Sequence, residues 1–275
     1  MNWYNTMDDY RSDKESILRH QNPDDVIVLP FDDPILSLIP GSSGRYYFSS
    51  IHALHDNTKG TFLEDGWLIW RDSEEVRLIR TDVLPEHMAV PVHLDLIPPA
   101  VCCAIAAGAD PASIPRGLGT FPGIPHRYQF AGRLGRIRFI NDSAATTPDS
   151  VIKAIMNLGS GKLVLIAGGG GHKNLDYRPL ASLIRARIHY VILFRDDPAS
   201  TRLRNALNGM DEDRLRTAGD MHEAVEIGIS CLDPSSDGIL LLSPGCSGAP
   251  LFVDLFQRGK QFISCIRASA GSERV

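Results

Sequence analysis

The 275 residues hold no apolar run approaching the ~20 that a membrane-spanning helix needs, and the N-terminus lacks a signal-peptide core. Neither a membrane-embedded nor a secreted protein is expected. Positive charge is not in excess. A net charge of −5 gives none of the basic footprint that nucleic acid or an anionic membrane surface would require. Cysteine is sparse: Cys102, Cys103, Cys231, Cys246 and Cys265 are odd in number and form no CxxC pair, as expected of reduced thiols in a cytoplasmic protein. His52 and His55 make an isolated HxxH with no further ligand cluster, so no zinc site is expected. A complete phosphate-binding loop is missing as well. Gly159-Ser160-Gly161-Lys162-Leu163 has Met156 in place of the first glycine and Leu163 in place of the magnesium-binding Ser or Thr. It also leads into a strand, whereas a P-loop leads out of one into a helix.

What is present reads as an ordinary globular α/β chain, 43% hydrophobic and 22% charged, long enough for two compact domains or one large one. The most informative stretch is Asn141-Asp142-Ser143-Ala144-Ala145-Thr146-Thr147-Pro148. Before it, Arg136 to Ile140 alternates charged and apolar residues as a strand does. After it, Val151, Ile152, Ala154, Ile155 and Leu158 follow helical spacing, with Thr146 or Thr147 as N-cap and Pro148 in the first turn. A strand end that delivers carboxylate and hydroxyls to a helix N-terminus is where α/β proteins bind anionic ligands. The same pattern also describes a capped turn with no ligand.

The C-terminal half alternates strand and helix. Strands are expected at 163–167, 189–194 and 238–243, and helices at 178–186, 201–207, 221–232 and 251–268, which argues for a parallel sheet covered on both faces. The N-terminal part reads differently. A buried strand at 25–29 is followed by a Pro- and Gly-rich passage, then by strands at 62–70 and 75–81 joined around Asp72-Ser73-Glu74. The segment Pro122-Gly123-Ile124-Pro125 places a hinge near residue 123, dividing the chain into 1–123 and 124–275. The glycines 168–171 follow a strand, which admits a dinucleotide-binding fold with Asp196 or Asp197 on the ribose, but the spacing is not GxGxxG. Lys173 beside this turn suits a carboxylate or a phosphate equally well.

Several segments occur together in a telling order: Phe121 to Tyr128, Asn141 to Pro148, Ile166 to Tyr177, Leu241 to Ser247 and Phe256 to Phe262. In this register they resemble the C-terminal part of the Mur ligase family, and most of all its glutamate-adding members. Such ligases have a UDP-sugar domain, a central P-loop ATPase domain and a Rossmann-like C-terminal domain for the incoming amino acid. The resemblance implies an α/β chain with the end of the central domain, without its P-loop, followed by the whole Rossmann-like domain. Asn2-Trp3-Tyr4 and Met7 to Lys14 look like the passage just after the family's magnesium-binding histidine. A fragment, an internally started product, or one half of a split enzyme partnered by a separate chain with the missing domains is therefore expected.

The resemblance further implies ATP and Mg2+ as cofactors, and UDP-N-acetylmuramoyl-L-alanine and glutamate as substrates of an amide-forming, ADP-producing ligase. Lys14 falls on the lysine that is carbamylated to hold a second magnesium. Arg127 falls on the arginine that meets the nucleotide at the hinge, and Asp142 on the acid that contacts its ribose. Thr146 and Lys173 match positions that hold the incoming glutamate. Ser243-Pro244-Gly245-Cys246 resembles the loop that closes that pocket. There are departures. Val92 to Ile97 lacks the family's asparagines, Ala144 replaces a lysine, His172 replaces an acid, and Leu255 replaces an aromatic residue. Gly248 replaces a glutamate-binding serine, for which the adjacent Ser247 is the candidate stand-in. Three readings follow: the acceptor-binding portion of such a ligase, without activity alone; a non-catalytic nucleotide- or amino-acid-binding module; or a dinucleotide-dependent enzyme.

Overall fold

The computed structural model describes residues 4, 6–39, 44–85, 87–171 and 175–269. Asn2, Trp3, His172 and Lys173 lie outside the described residues. The chain forms two compact units, Met1–Pro122 and Gly123–Val275. No helix among the described residues is long and apolar enough to cross a membrane.

The first unit begins with helix α1 (Met7–Arg19), closed by a reciprocal capping box between Thr6 and Asp9. Its sheet runs β1 (Val26–Pro30), β2 (Gly44–Ser49), β3 (Gly60–Glu64), β4 (Trp67–Arg71) and β5 (Glu75–Arg80) in chain order. The first three strands are parallel and the last three form an antiparallel meander. The passage expected as one strand over 62–70 is two. Asp65 and Gly66 both take positive φ (49° and 76°), the conformation of a two-residue hairpin turn, and fold β3 back onto β4. Helices α2 (Pro91–Leu94), α3 (Ile97–Ala106) and α4 (Ile114–Thr120) follow. Ile97, Val101 and Cys102 of α3 pack with Leu68, Trp70 and Leu78 of the meander in one core.

The second unit is a six-stranded sheet with β6 (Gln129–Leu134), β7 (Ile137–Asn141), β8 (Lys162–Ala167), β9 (Tyr190–Phe194), β10 (Leu215–Ala218) and β11 (Gly238–Leu242), in the order β10-β9-β8-β11-β7-β6. Five strands are parallel, as expected, but the edge strand β6 is antiparallel to β7. The helices are α5 (Pro148–Met156), α6 (Arg178–Arg187), α7 (Pro198–Ala206), α8 (Met221–Ser230) and α9 (Leu255–Ser269). Helices α8 and α9 supply Val225, Phe262 and Ile266 to a core that takes Ile137, Phe139, Val164, Ile166, Leu240 and Leu242 from the sheet. The intervening residues Leu163, Leu165 and Leu241 point to the opposite face by the two-residue period and are also buried. Burial on both faces explains the unbroken apolar runs, each such side chain contributing ~1.5–3 kcal/mol.

Candidate functional site

Strand β11, last in the chain, is inserted between β7 and β8, so the loops that leave these neighbours meet at their carboxyl ends. This is where open parallel sheets bind ligands. The loop after β7 is fixed by its own polar side chains. Asn141, fully buried, donates from Nδ2 to His126 Nδ1 (2.9 Å) and to the Gly259 carbonyl (3.2 Å), while its Oδ1 accepts from the Ser143 amide at 3.2 Å. Asp142 is 6% exposed. Its Oδ1 accepts from the Tyr128 amide at 3.1 Å and its Oδ2 from the Ser243 hydroxyl at 2.8 Å, which ties the ends of β7 and β11 together.

Burial pushes the Asp142 carboxyl up to about 7, with the Ser243 and Tyr128 hydrogen bonds and the charge of Arg127 opposing the rise. Arg127 stands half-buried between His126 and Tyr128, both of which take the left-handed backbone (φ 65° and 46°). Two such residues around one arginine make a strained turn of the kind that fixes a side chain at a site. The turn is anchored where the His126 carbonyl accepts from the Ala144 amide (2.9 Å) and the Tyr128 hydroxyl donates to the Asn157 carbonyl (2.9 Å). Arg127 and Asp142, separated in sequence, are thus brought together at one end of the sheet.

The loop after β11 closes over the loop after β8. The Gly168 amide donates to the Pro244 carbonyl (2.9 Å), the Tyr177 hydroxyl to the Gly245 carbonyl (2.8 Å), and the Ser247 hydroxyl to the Gly171 carbonyl (3.0 Å). The approach is so close that a Cβ on Gly170 would lie 1.7 Å from the Ser247 carbonyl oxygen, so only glycine fits there. Ser247 is half-buried at this junction. At Gly248, where a serine is expected from the family resemblance, a Cβ would lie 2.6 Å from the Asp254 carbonyl carbon. The backbone leaves no room for that serine.

Arg258 holds these loops to each other from below. It is fully buried on α9 and donates to Ser143 Oγ (3.0 Å), the Ser143 carbonyl (2.9 Å), the Cys246 carbonyl (3.1 Å), the Ser247 carbonyl (3.0 Å) and Cys246 Sγ (3.8 Å). These partners are neutral, and burial pushes the Cys246 thiol up to about 12. The guanidinium's own pKa falls through the same desolvation. Arg258 lies within the Phe256 to Phe262 segment that resembles the family, yet the resemblance gives it no role. The signal was its spacing from Phe262 and Ile266, a core-facing i, i+4, i+8 series that would not otherwise hold an arginine.

Thr147, not Thr146, caps α5: its Oγ1 accepts from the Ser150 amide at 3.3 Å, with Pro148 in the first turn. Thr146 sits just before the cap, half-exposed. The dinucleotide reading is not supported. Asp197 caps α7 and accepts on Oδ1 from the amides of Gly170 (3.2 Å), Ala199 (3.0 Å) and Ser200 (2.9 Å), so it serves the loop and not a ribose. The next helix after the glycines begins only at Arg178. Lys14 lies exposed on α1 with Nζ 5.5 Å from the centre of the Tyr10 ring. Among the described residues no group of three or more His, Cys, Asp or Glu is gathered as a metal cluster would be.

Residues 126–245 match the family described as Mur ligase, glutamate ligase domain. The chain is 33% identical over 270 residues to the UDP-N-acetylmuramoylalanine–D-glutamate ligase of Roseiflexus sp. (strain RS-1), covering 94% of this chain and 56% of that protein. It is 29% identical to the protein of the same name from Geobacter metallireducens, over 98% of this chain and 57% of the relative. It therefore spans little more than half the length of these curated relatives. Among solved structures, a pseudomurein peptide ligase type C from Methanothermus fervidus superposes with a TM-score of 0.64 at 16% identity, covering 95% of this chain and 60% of that one. A MurF ligase from Thermotoga maritima in complex with ADP gives 0.62, also at 16% identity, with 98% and 60% covered. At that identity these two likenesses speak for the fold.

Proposed function

We propose that this chain, whose residues 126–245 match the glutamate ligase domain of the Mur ligases, is the glutamate-handling portion of an ATP-dependent, MurD-type amide ligase of peptidoglycan synthesis. The observation that carries the reading is the convergence of three strand-end loops on a buried, pre-ordered polar floor: Asn141 to Ser143, Gly168 to Gly171 and Ser243 to Ser247. In such a ligase the muramoyl carboxylate becomes an acyl phosphate at the expense of ATP, the amine of glutamate displaces phosphate, and ADP and phosphate leave. In this reading Thr146 and Ser247 face the amino acid, Lys173 counters one of its carboxylates, and the buried charge of Arg258 beneath the loops favours an anionic ligand. Arg127 and Asp142 meet adenine nucleotide, Asp142 using the acceptor capacity left after its two hydrogen bonds.

No segment of this sequence forms a P-loop for the phosphates of ATP, so a polypeptide of these 275 residues is expected not to hydrolyse ATP or form the amide by itself. The UDP-sugar- and ATP-holding parts would come from elsewhere, including a separate chain. If Lys14 contributes to magnesium as a carbamate, it does so with ligands that those parts supply. Gly248 and Ala144 favour a second reading, a non-catalytic amino-acid module, because a serine cannot be fitted at the first and no lysine stands at the second. Calorimetric titration with D- and L-glutamate tests the site. Binding of D-glutamate that weakens by about 1.5–3 kcal/mol in Lys173→Ala is expected, as for loss of a charge-assisted contact. Equal binding by parent and variant would remove Lys173 from the site. Phosphate release from ATP that depends on the muramoyl substrate, by the chain alone, would overturn the division of labour.

A further inference from the structure

The opposite end of the same sheet carries a second polar feature that the ligase reading does not use. Strands β7, β8 and β11 begin at Ile137, Lys162 and Gly238. Around these amino ends lies a cavity of about 360 Å³ lined by Arg133, Arg136, Arg138, Gly159, Ser160 and Asp237. The volume is in the range of small-molecule sites.

The arginines are arranged against their own repulsion. Arg133 and Arg138 are direct partners in the antiparallel β6–β7 ladder, and like charges placed opposite each other destabilise a sheet. The turn between them adds Arg136. The single carboxylate in the lining, Asp237, is held by Arg136 through Nε (2.9 Å) and Nη2 (2.8 Å). Three guanidinium groups therefore face one carboxylate, in a chain whose net charge is −5. Arg133, Arg136 and Arg138 are all exposed. The floor is Gly159-Ser160. Gly159 is open on the cavity side, a Cβ there meeting only Arg138 Nη2 at 3.7 Å. Planar guanidinium forks match the oxygens of a phosphate bidentately, and the Ser160 hydroxyl adds a donor of adjustable direction.

We propose that this arginine-lined cavity at the amino ends of β7, β8 and β11 is a binding site for a phosphate-class oxyanion, distinct from the carboxyl-end site. Phe130 lies under Arg133 at 6.0 Å and Asp237 attracts Arg138 as well as Arg136, but one carboxylate among three guanidiniums leaves a positive excess that an oxyanion offsets. Free phosphate and the phosphoryl group of a small metabolite share this chemistry.

The test is titration of the full chain with inorganic phosphate at low ionic strength, followed by calorimetry and by amide chemical shifts. Shifts confined to Gly135, Gly159, Ser160 and Gly238 are expected. The double variant Arg133→Ala/Arg138→Ala should bind phosphate roughly ten- to a hundredfold more weakly, the loss of charge-assisted hydrogen bonds. Both side chains are exposed, so the variant should retain the fold. An equally charged deletion elsewhere, Arg77→Ala/Arg80→Ala on β5, should leave phosphate affinity unchanged. Succinate should bind at least about tenfold more weakly than phosphate, because it lacks the tetrahedral oxygens that two forks can share. A glucose-6-phosphate arm that matches or exceeds phosphate would mean the site takes a phosphoryl group on a larger molecule; weaker binding would mean the free ion. The proposal is overturned if phosphate moves none of these amides, if the Arg77/Arg80 variant loses as much affinity as the Arg133/Arg138 variant, or if succinate binds equally well.

Discussion

At the carboxyl ends of β7 and β11 a carboxyl group, an amide, two serine hydroxyls and a guanidinium are buried and hydrogen-bonded to one another, whereas at the amino ends of the same strands three arginines stand in water around one aspartate. The difference lies in what each end can tolerate. Buried polar groups must satisfy each other inside the fold, so the carboxyl end is rigid before any ligand arrives. Exposed charges are screened, so the amino end can leave repulsion in place for a ligand to relieve.

The sharpest break between the two ends is expected from paired arginine substitutions. Arg258→Met removes a fully buried guanidinium and leaves the Ser143, Cys246 and Ser247 carbonyls without its hydrogen bonds, at an expected cost of about 1–3 kcal/mol for each acceptor that no other donor reaches. Arg136→Met deletes a bidentate bridge to Asp237 whose side chains are each 61% exposed, and is expected to cost at most ~1 kcal/mol. Denaturant unfolding at pH 7 reads both, and similar losses would show that the ends are not differently built.

The next contrast is with pH. Folding raises the Asp142 carboxyl to about 7, so the folded state holds a proton that the unfolded state has already released above its ordinary value of 3.8. The contribution of this group is therefore full in acid and is lost as pH rises through about 7. Asp142→Asn keeps an acceptor for the Tyr128 amide and cannot ionise, so its stability relative to the parent should improve by about 3 kcal/mol between pH 5 and pH 8. A pH-independent difference would mean that the carboxyl is ionised in the fold throughout. Smaller still, Thr147→Ala should cost about 1 kcal/mol as a lost N-cap, while Thr146→Ala should leave stability unchanged.

Much of the scaffold was legible in the sequence because burial on both faces writes long apolar runs, as in Leu163 to Ala167 and Ile239 to Leu242. The strand–turn–helix at Asn141 to Pro148 was legible from its cap and proline. Strands β6 and β10 were not, because Gln129 to Leu134 carries a central glycine and Leu215 to Ala218 is four residues long and half polar. The turn that splits β3 from β4 was written in Asp65-Gly66 but lay inside a continuous apolar passage. Helix α9 begins at Leu255 and not at residue 251 because Asp254 caps it, accepting from the Gln257 amide at 2.7 Å. At the site, the segments that carry Asp142, Ser243, Tyr177 and Arg258 stand out in the sequence, but the hydrogen bonds that join them do not, because only the closed sheet brings these distant segments to the same loops.

The most direct test is an amide chemical-shift map of the full chain titrated separately with D-glutamate and with inorganic phosphate. The expected result is two disjoint sets. D-glutamate should move the amides of Thr146, Gly171 and Ser247, and phosphate those of Gly159, Ser160 and Gly238. D-glutamate shifts at the amino ends of the sheet, or none at the carboxyl ends, would contradict the placement of amino-acid handling at the loops after β7, β8 and β11.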